Sequence, residues 1–269
     1  MTMTILEKLA EHARERCEAY RRAMSYEELK RAVYAMPKGT GSFEAALKKP
    51  GMSFICECKK ASPSKGLIAP DFPYVKIAKE YEQAGADCIS VLTEPKWFMG
   101  SDEYLREIAG AVAVPCLRKD FTVDPYMIYQ ARLIGASAVL LICAILSEGQ
   151  LNEYLALCDE LGLSALVEVH DEREAVSALK SGARIIGVNN RDLRDFTVDT
   201  SNSRRLREMI PESTVFVSES GIRTPEDIAL LAQSGADAVL IGEALMKAPD
   251  KKQKLSELRA AAANRKGVC

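Results

Sequence analysis

Residues 52–58 read MSFICEC, and the fold follows from the kind of strand this run describes. Phe54, Ile55, Cys56 and Cys58 crowd together around a single charge, Glu57, with none of the wet-face alternation of a half-exposed strand. Strands buried on both faces read this way, and they belong to parallel sheets covered by helices. Period two puts Glu57 and Lys59 on one face and Cys56 and Cys58 on the other. Cysteines suit a helix-packed face as small packing groups, so the charged pair is expected to point inward. Seven similar runs follow: CISVLTE from Cys88, VPCLRKDF from Val114, AVLLICAIL from Ala138, SALVEVH from Ser164, IIGVNN from Ile185, VFVSESG from Val215 and AVLIGEAL from Ala238. Helical stretches separate them, and strands alternating with helices argue for parallel βαβ units.

A weak repeat supports the same reading. Gly85-Ala-Asp, Gly135-Ala-Ser, Gly182-Ala-Arg and Gly235-Ala-Asp each precede an even-numbered run, roughly 50 residues apart. A glycine there suits a left-handed helix end before the next strand. Eight such units in about 220 residues match a (β/α)8 TIM barrel, in which alternate strands build the interior layers. A doubly wound open sheet is the alternative, but no G-x-G-x-x-G follows the first strand.

Ahead of the barrel, residues 1–48 are expected to form an N-terminal helical extension, with 1–269 as one domain. Leu6, Leu9, Ala13 and Cys17 recur at helical steps. Ser25 and Glu28 form a capping-box pattern that opens a second helix toward Met36. Pro37, Gly39 and Gly41 then break the chain. Residues 251–266 read as the last barrel helix and a frayed end.

Composition removes several classes of function. The 36 Lys plus Arg against 38 Asp plus Glu leave a net charge of −2, without the basic footprint that nucleic acid requires. The apolar stretch from Ala138 to Leu146 is far short of the ~20 residues that span a bilayer. The opening MTMTILEKLAEHARER has no apolar signal core, so a cytoplasmic location is expected. There the 8 cysteines stay reduced. With only His12 and His170 and no C-x-x-C, no metal site is expected. A monomer is expected, with a homodimer as the alternative.

Barrel active sites sit at the strand C-termini. The polar residues falling there are Glu57 and Lys59, Lys119, Glu168, Asn189 and Arg191, and Glu219. One charge just past a strand reads as a solvated loop residue. Two lysines and three glutamates at one end of four strands read as a cluster, because buried charges must pair or shift their pKa. Such clusters supply acids and bases that work near neutral pH. At the ends of the last two strands, SESG and LIGE place Ser220, Gly221, Gly242 and Glu243 where backbone N–H groups can face an anion, the usual phosphate position of a barrel. The loop after the first strand adds Ser62 and Lys65. Trp97, Phe98, Phe121 and Leu140 are candidates to wall an aromatic pocket beside the charges.

Several of these motifs are long and specific. FICECKKASPSKG from Phe54, SVLTEPKWFMGS from Ser90, LRKDF from Leu117, EVHD from Glu168, GVNNRDL from Gly187, SESGI from Ser218 and LIGEALM from Leu240 closely resemble, in order, those of indole-3-glycerol phosphate synthases. The resemblance implies a cofactor-free carboxy-lyase of tryptophan biosynthesis. Such an enzyme converts a small phosphorylated substrate, 1-(2-carboxyphenylamino)-1-deoxyribulose 5-phosphate, to indole-3-glycerol phosphate, carbon dioxide and water. It implies Lys119 as the general acid at the substrate carbonyl, and Lys59 with its partner Glu57 in the other proton steps, leaving the division between the two lysines open. It further implies Glu168 as stabiliser of the cationic intermediate and relay of protons, Asn189 and Glu219 as positioning groups, and Arg191 as positive charge near the substrate. Phosphate binding falls to Ser220, Gly221, Gly242 and the amide of Glu243. Ser62, Phe98, Phe121 and Leu140 complete the substrate site. Glu243 stands where some relatives carry serine, so its carboxylate is expected to turn away; Ala61 stands where some carry lysine, which shifts phosphate attraction toward Lys65 or the helix dipole.

Three rivals differ in chemistry. Phosphoribosylanthranilate isomerase, a neighbouring barrel, uses a cysteine–aspartate pair, whereas the first strand here carries Glu57 and Lys59. A Schiff-base aldolase would use Lys119 or Lys59 as a nucleophile. A binding barrel without activity would be expected to have lost some of the charged residues at the mouth.

Overall fold

In the computed structural model the described residues are 3–192 and 196–263. Three helices come first: α1 (Ile5–Ala23), α2 (Tyr26–Tyr34) and α3 (Ser42–Leu47). Thr4 and Ser25 cap α1 and α2 with full capping boxes through Glu7 and Glu28, so each helix start satisfies two backbone donors reciprocally. Eight parallel strands then close a barrel: β1 (Ser53–Cys58), β2 (Cys88–Leu92), β3 (Cys116–Lys119), β4 (Ala138–Ile142), β5 (Ser164–Val169), β6 (Ile185–Asn189), β7 (Val215–Glu219) and β8 (Ala238–Ile241). Each strand pairs with its sequence neighbours, and β8 closes on β1 with Ser53 opposite Ala238. One helix follows each of the first seven strands: α4 (Tyr74–Gln83), α5 (Asp102–Ala111), α6 (Pro125–Leu133), α7 (Glu148–Leu161), α8 (Glu172–Lys180), α9 (Ser201–Arg207) and α10 (Pro225–Gln233). The short α11 (Glu243–Lys247) and α12 (Lys251–Ala263) follow β8.

The glycine repeat has a conformational cause. Gly85, Gly135, Gly182 and Gly235 all have φ between 81° and 94°, the left-handed region in which a side chain is strained. Each ends a helix one turn before an even strand. Cys56, Cys58, Cys88 and Cys116 are buried against the helices, and burial pushes their thiols up, which leaves them inert.

Several expectations shift at element ends. The helix expected to reach Met36 ends at Tyr34, and a third helix, α3, follows Gly41. The run from Val114 becomes strand only at Cys116, just past Pro115, which has no N–H for a ladder. The run from Ala138 leaves the sheet at Ile142 and turns through a 3₁₀ segment, Cys143–Ile145. Of the tail, residues 264–269 lie outside the described residues, as does Leu193 of the GVNNRDL run.

The extension is fastened to the barrel by apolar packing and by charge. Leu9, Ala13 and Cys17 of α1 belong to one buried cluster with barrel residues. Arg16 reaches Asp120, just past β3, with two hydrogen bonds of 2.6 and 3.0 Å. Burial works against the ionised Asp120, yet Arg16, Arg118 and Thr93 hold it down at about 2. Arg21 donates from one nitrogen, Nη2, to both oxygens of Asp124, at 2.8 and 2.9 Å.

Candidate active site

The five ionisable groups come from odd-numbered strands, as the layering of such barrels allows. Glu57 and Lys59 rise from the end of β1, Lys119 from β3, Glu168 from β5 and Glu219 from β7. Between them the even strands place small groups beside the carboxylates: Ser90 pairs with Glu57 in the register, and Gly187 with Glu168; Asn189 and Arg191 come from the end of β6. Two glycines make the crowding possible. A Cβ on Gly187 would collide with Glu219, and one on Gly242 with Glu57.

Lys119 lies at the centre. Its Nζ donates to Glu168 Oε2 at 3.1 Å and stands 3.4 Å from Glu219 Oε2. Burial disfavours the ammonium, but Glu168, Glu219 and Glu57 outweigh it and raise its pKa above the ordinary lysine value. The two carboxylates part company. Burial would raise Glu168, but Lys119 and His170 bring it below its ordinary value. Burial dominates at Glu219, helped by Glu168 and Glu57 against Lys119, and pushes it up to about 7. Glu219 Oε1 is buried without a hydrogen-bond partner. Environments that drive two carboxyl groups apart in this way mark acid–base sites.

Lys59 donates to Glu57 Oε1 at 2.5 Å, and Ser90 reaches the other oxygen at 3.5 Å. The mouth cavity brings together every site residue expected from the sequence: Glu57, Lys59, Ser62, Phe98, Lys119, Phe121, Leu140, Glu168, Asn189, Arg191, Glu219, Ser220, Gly221, Gly242 and Glu243 all line it. The rings of Phe98 and Phe121 lie 6.1 Å apart at 41°. Trp97 is the exception among the aromatic candidates. It lies outside the cavity lining, edge-on to His12 with Lys96 over its ring. Glu94 accepts from the backbone N–H groups of Lys96, Trp97 and Phe98 and binds His12 at 3.0 Å, which places the His12 ring against Trp97.

At the far side of the mouth, Ser220 and Gly221 both have left-handed backbones, φ 70° and 81°. Glu243 turns its carboxylate to Lys247 at 2.7 Å. Burial alone would raise that carboxyl; Lys247, Lys65 and Arg223 lower it. Lys65, Arg191 and Arg223 line the cavity here, and burial draws Arg191 below its ordinary value.

The sequence did not point to Arg223, to Ile5 and Leu9 of α1 that roof the cavity, or to His170 behind Glu168. Arg223 follows SESGI by one residue, and that adjacency was the available signal. Ile5 and Leu9 carried only a helical period.

The family model described as indole-3-glycerol phosphate synthase matches residues 6–258. A relative of that name from Ruminiclostridium cellulolyticum is 54% identical over 259 residues, covering 96% of this chain and 100% of its own. Another from Endomicrobium trichonymphae is 52% identical, covering 95% and 99%. Among solved structures, the thiamine phosphate pyrophosphorylase from Pyrococcus furiosus superposes with a TM-score of 0.62 at 17% identity, covering 83% of this chain and 99% of its own; that likeness is one of fold. With the family match spanning extension and barrel, and near-half-or-better identity along almost the whole length, the chain belongs to the indole-3-glycerol phosphate synthase family.

Proposed function

We propose that the chain closes the indole ring of 1-(2-carboxyphenylamino)-1-deoxyribulose 5-phosphate, with loss of carbon dioxide and water, as a carboxy-lyase of tryptophan biosynthesis. The observation that carries the residue assignments is the Lys119 ammonium held between Glu168 at 3.1 Å and Glu219 at 3.4 Å in the barrel mouth. Attack of the aryl carbon on the ketone puts negative charge on its oxygen, and a positioned ammonium donates the proton that neutralises it. Glu168, kept ionised, faces the cation that forms on the ring and nitrogen. Loss of carbon dioxide restores aromatic electrons without an external electron sink. Lys59, paired with Glu57, serves the departure of the hydroxyl as water. Asn189 and Glu219 position the two halves of the substrate, and Phe98, Phe121 and Leu140 pack its ring.

Backbone N–H groups of Ser220, Gly221, Gly242 and Glu243 take the phosphate in this reading, and Lys65, Arg191 and Arg223 supply the positive field. A Schiff-base role for Lys119 is disfavoured because three carboxylates keep it protonated, without the lone pair a nucleophile needs. A reducing compartment such as the cytoplasm fits the seven unpaired thiols among the described residues. Among those residues no helix is long and apolar enough to cross a membrane.

The test is fluorescence-detected formation of indole-3-glycerol phosphate in buffer with chelator. Turnover is expected. Binding of the substrate without product would overturn the assignment.

A further inference from the structure

His170 stands in the wall between two cavities. On one side is the mouth, lined by Glu168. On the other is a second cavity of about 610 Å³ lined by His170, Glu174, Asp171, Asn202, Arg205, Thr4 and their neighbours. A water occupies about 30 Å³ of liquid volume, so this side cavity has room for several waters, and its lining residues Thr4, Asp171, Asp199 and Arg205 are exposed. Asn189 and Arg191 border both spaces, whereas Glu168 borders only the mouth and His170 only the side cavity.

The two oxygens of Glu168 are divided between the two sides. Oε2 accepts from Lys119 at 3.1 Å, and Oε1 lies 3.4 Å from His170 Nε2. That nitrogen is buried and has no aligned hydrogen-bond partner. The opposite ring nitrogen, Nδ1, is 3.1 Å from Glu174 Oε2, which also accepts the His170 backbone N–H at 2.7 Å. Both side chains are about one-fifth exposed, toward the side cavity. Polar groups thus form a file from Lys119 to solvent that avoids the mouth.

We propose that His170 is a positioning residue that returns protons to Lys119 through Glu168 from the side cavity while substrate fills the mouth. The inference rests on the roles given to Lys119 and Glu168 above. Lys119 gives one proton to the substrate oxygen and becomes neutral. Glu168 takes one proton on Oε1 from His170 Nε2 and, as its carboxyl group turns, delivers it to Lys119 Nζ. The neutral ring, still holding its Nδ1 proton, then turns so that the bare Nε2 meets the side cavity, takes a proton from a hydronium ion there and turns back, and Glu174, 3.1 Å from Nδ1, stabilises the imidazolium that re-forms. One proton enters for each proton spent, and no other bond is made or broken.

The charged setting suits the task. Burial opposes the imidazolium, but Glu174, Glu168 and Glu219 raise His170 above the ordinary histidine value. Those three carboxylates, from α8, β5 and β7, are the ionisable groups acting on the ring. On the α9 side Asn202 donates to the His170 carbonyl, and Arg205 is occupied by Glu172 at 2.7 Å.

The experiment compares wild type with His170→Gln, His170→Ala and Glu168→Gln in full-length protein, by steady-state kinetics from about pH 5.5 to about pH 8.5. His170→Gln keeps donor and acceptor atoms but cannot titrate. Its kcat is expected to fall about tenfold with KM little changed, and the solvent isotope effect to rise. Imidazole should restore part of the activity of His170→Ala, because the side cavity admits it. A His170→Gln enzyme with the wild-type kcat and pH profile overturns the relay. So does a loss that imidazole does not rescue and that leaves the shape of the pH profile unchanged, which assigns His170 to packing. If Glu168→Gln is inactive while His170→Gln is unaffected, the relay alone fails. If both are fully active, the reading of Glu168 fails with it.

Discussion

The carboxylate of Glu219 occupies the space left by the absent side chain of Gly187, and a Cβ on that glycine would strike Glu219 Oε1. The two residues lie on adjacent strands, Gly187 opposite Val217 and Glu219 opposite Asn189. Gly187 has no positive φ to explain its identity; it is needed for room. Gly187→Ala is therefore expected to fold but to displace Glu219, and turnover should fall about tenfold or more, since small misplacements of reacting groups are costly. Circular dichroism and the turnover assay together check this. An active, folded Gly187→Ala enzyme would show that the carboxylate position is not critical.

Glu219 makes stability depend on pH in a definite direction. Its folded pKa of about 7 lies above the ordinary value of about 4.3, so the folded state binds the proton more tightly. The contribution to stability is fully present below the unfolded value and is lost as pH rises through about 7. Glu219→Gln, which cannot ionise, should gain on wild type between about pH 5 and about pH 8 while losing activity. Urea midpoints at the two pH values decide the matter; an identical difference at both would refute it.

Lys119→Ala should lose at least about 100-fold in turnover, the span of general acid catalysis. The variant also leaves Glu168 and Glu219 facing each other without the ammonium. Glu168 should then take up a proton more readily, and the variant should be less stable than wild type at neutral pH. Turnover and a pH series of thermal melts test both parts. Near-wild-type turnover would remove Lys119 from the proton transfer.

Glu168→Gln is expected to lower kcat more than it raises KM, because a carboxylate opposite a developing cation matters most in the transition state. A change confined to KM would make Glu168 a binding residue.

Arg16→Met should destabilise the protein by about 3 kcal/mol, the usual cost of leaving one partner of a buried ion pair alone. Asp120 is fully buried and would keep the more distant Arg118, at 3.7 Å, as its positive partner, with hydrogen bonds from Thr93 and the Phe121 backbone N–H. Denaturant titration measures the effect. A change within experimental error would mean that Arg118 suffices.

The barrel was legible because strands buried on both faces leave runs of apolar residues with one odd charge, and because the four left-handed glycines repeat at every second strand. The placement of Glu57, Lys59, Lys119, Glu168 and Glu219 was legible for a related reason: period two and the rule of strand C-termini aim side chains without tertiary information. What lay beyond the sequence depended on partners distant along the chain. Trp97 could not be told from Phe98, because its ring packs on His12 of α1, a partner far away in sequence, while Phe98 packs on Phe121. His170 shares the strand phase of Glu168, yet its meaning comes from Glu174 on the next helix and from a cavity bounded by α1 and α9. Element ends followed local stereochemistry: Pro115 sets the start of β3, and the 3₁₀ turn at Cys143 cuts an apolar run that composition alone would have extended.

The contact of Arg16 with Asp120 also sets an order of events during synthesis. The partners are 104 residues apart, so the ribosome, adding about 5–20 residues per second, completes α1 well before its anchor exists. Most of a helix's stability in a protein comes from tertiary packing of its amphipathic face, and α1 lacks its Asp120 anchor until β3 is made. The helix is therefore held back from its final place until the chain through β3 has emerged, and its docking on Asp120 follows the synthesis of the first three strands.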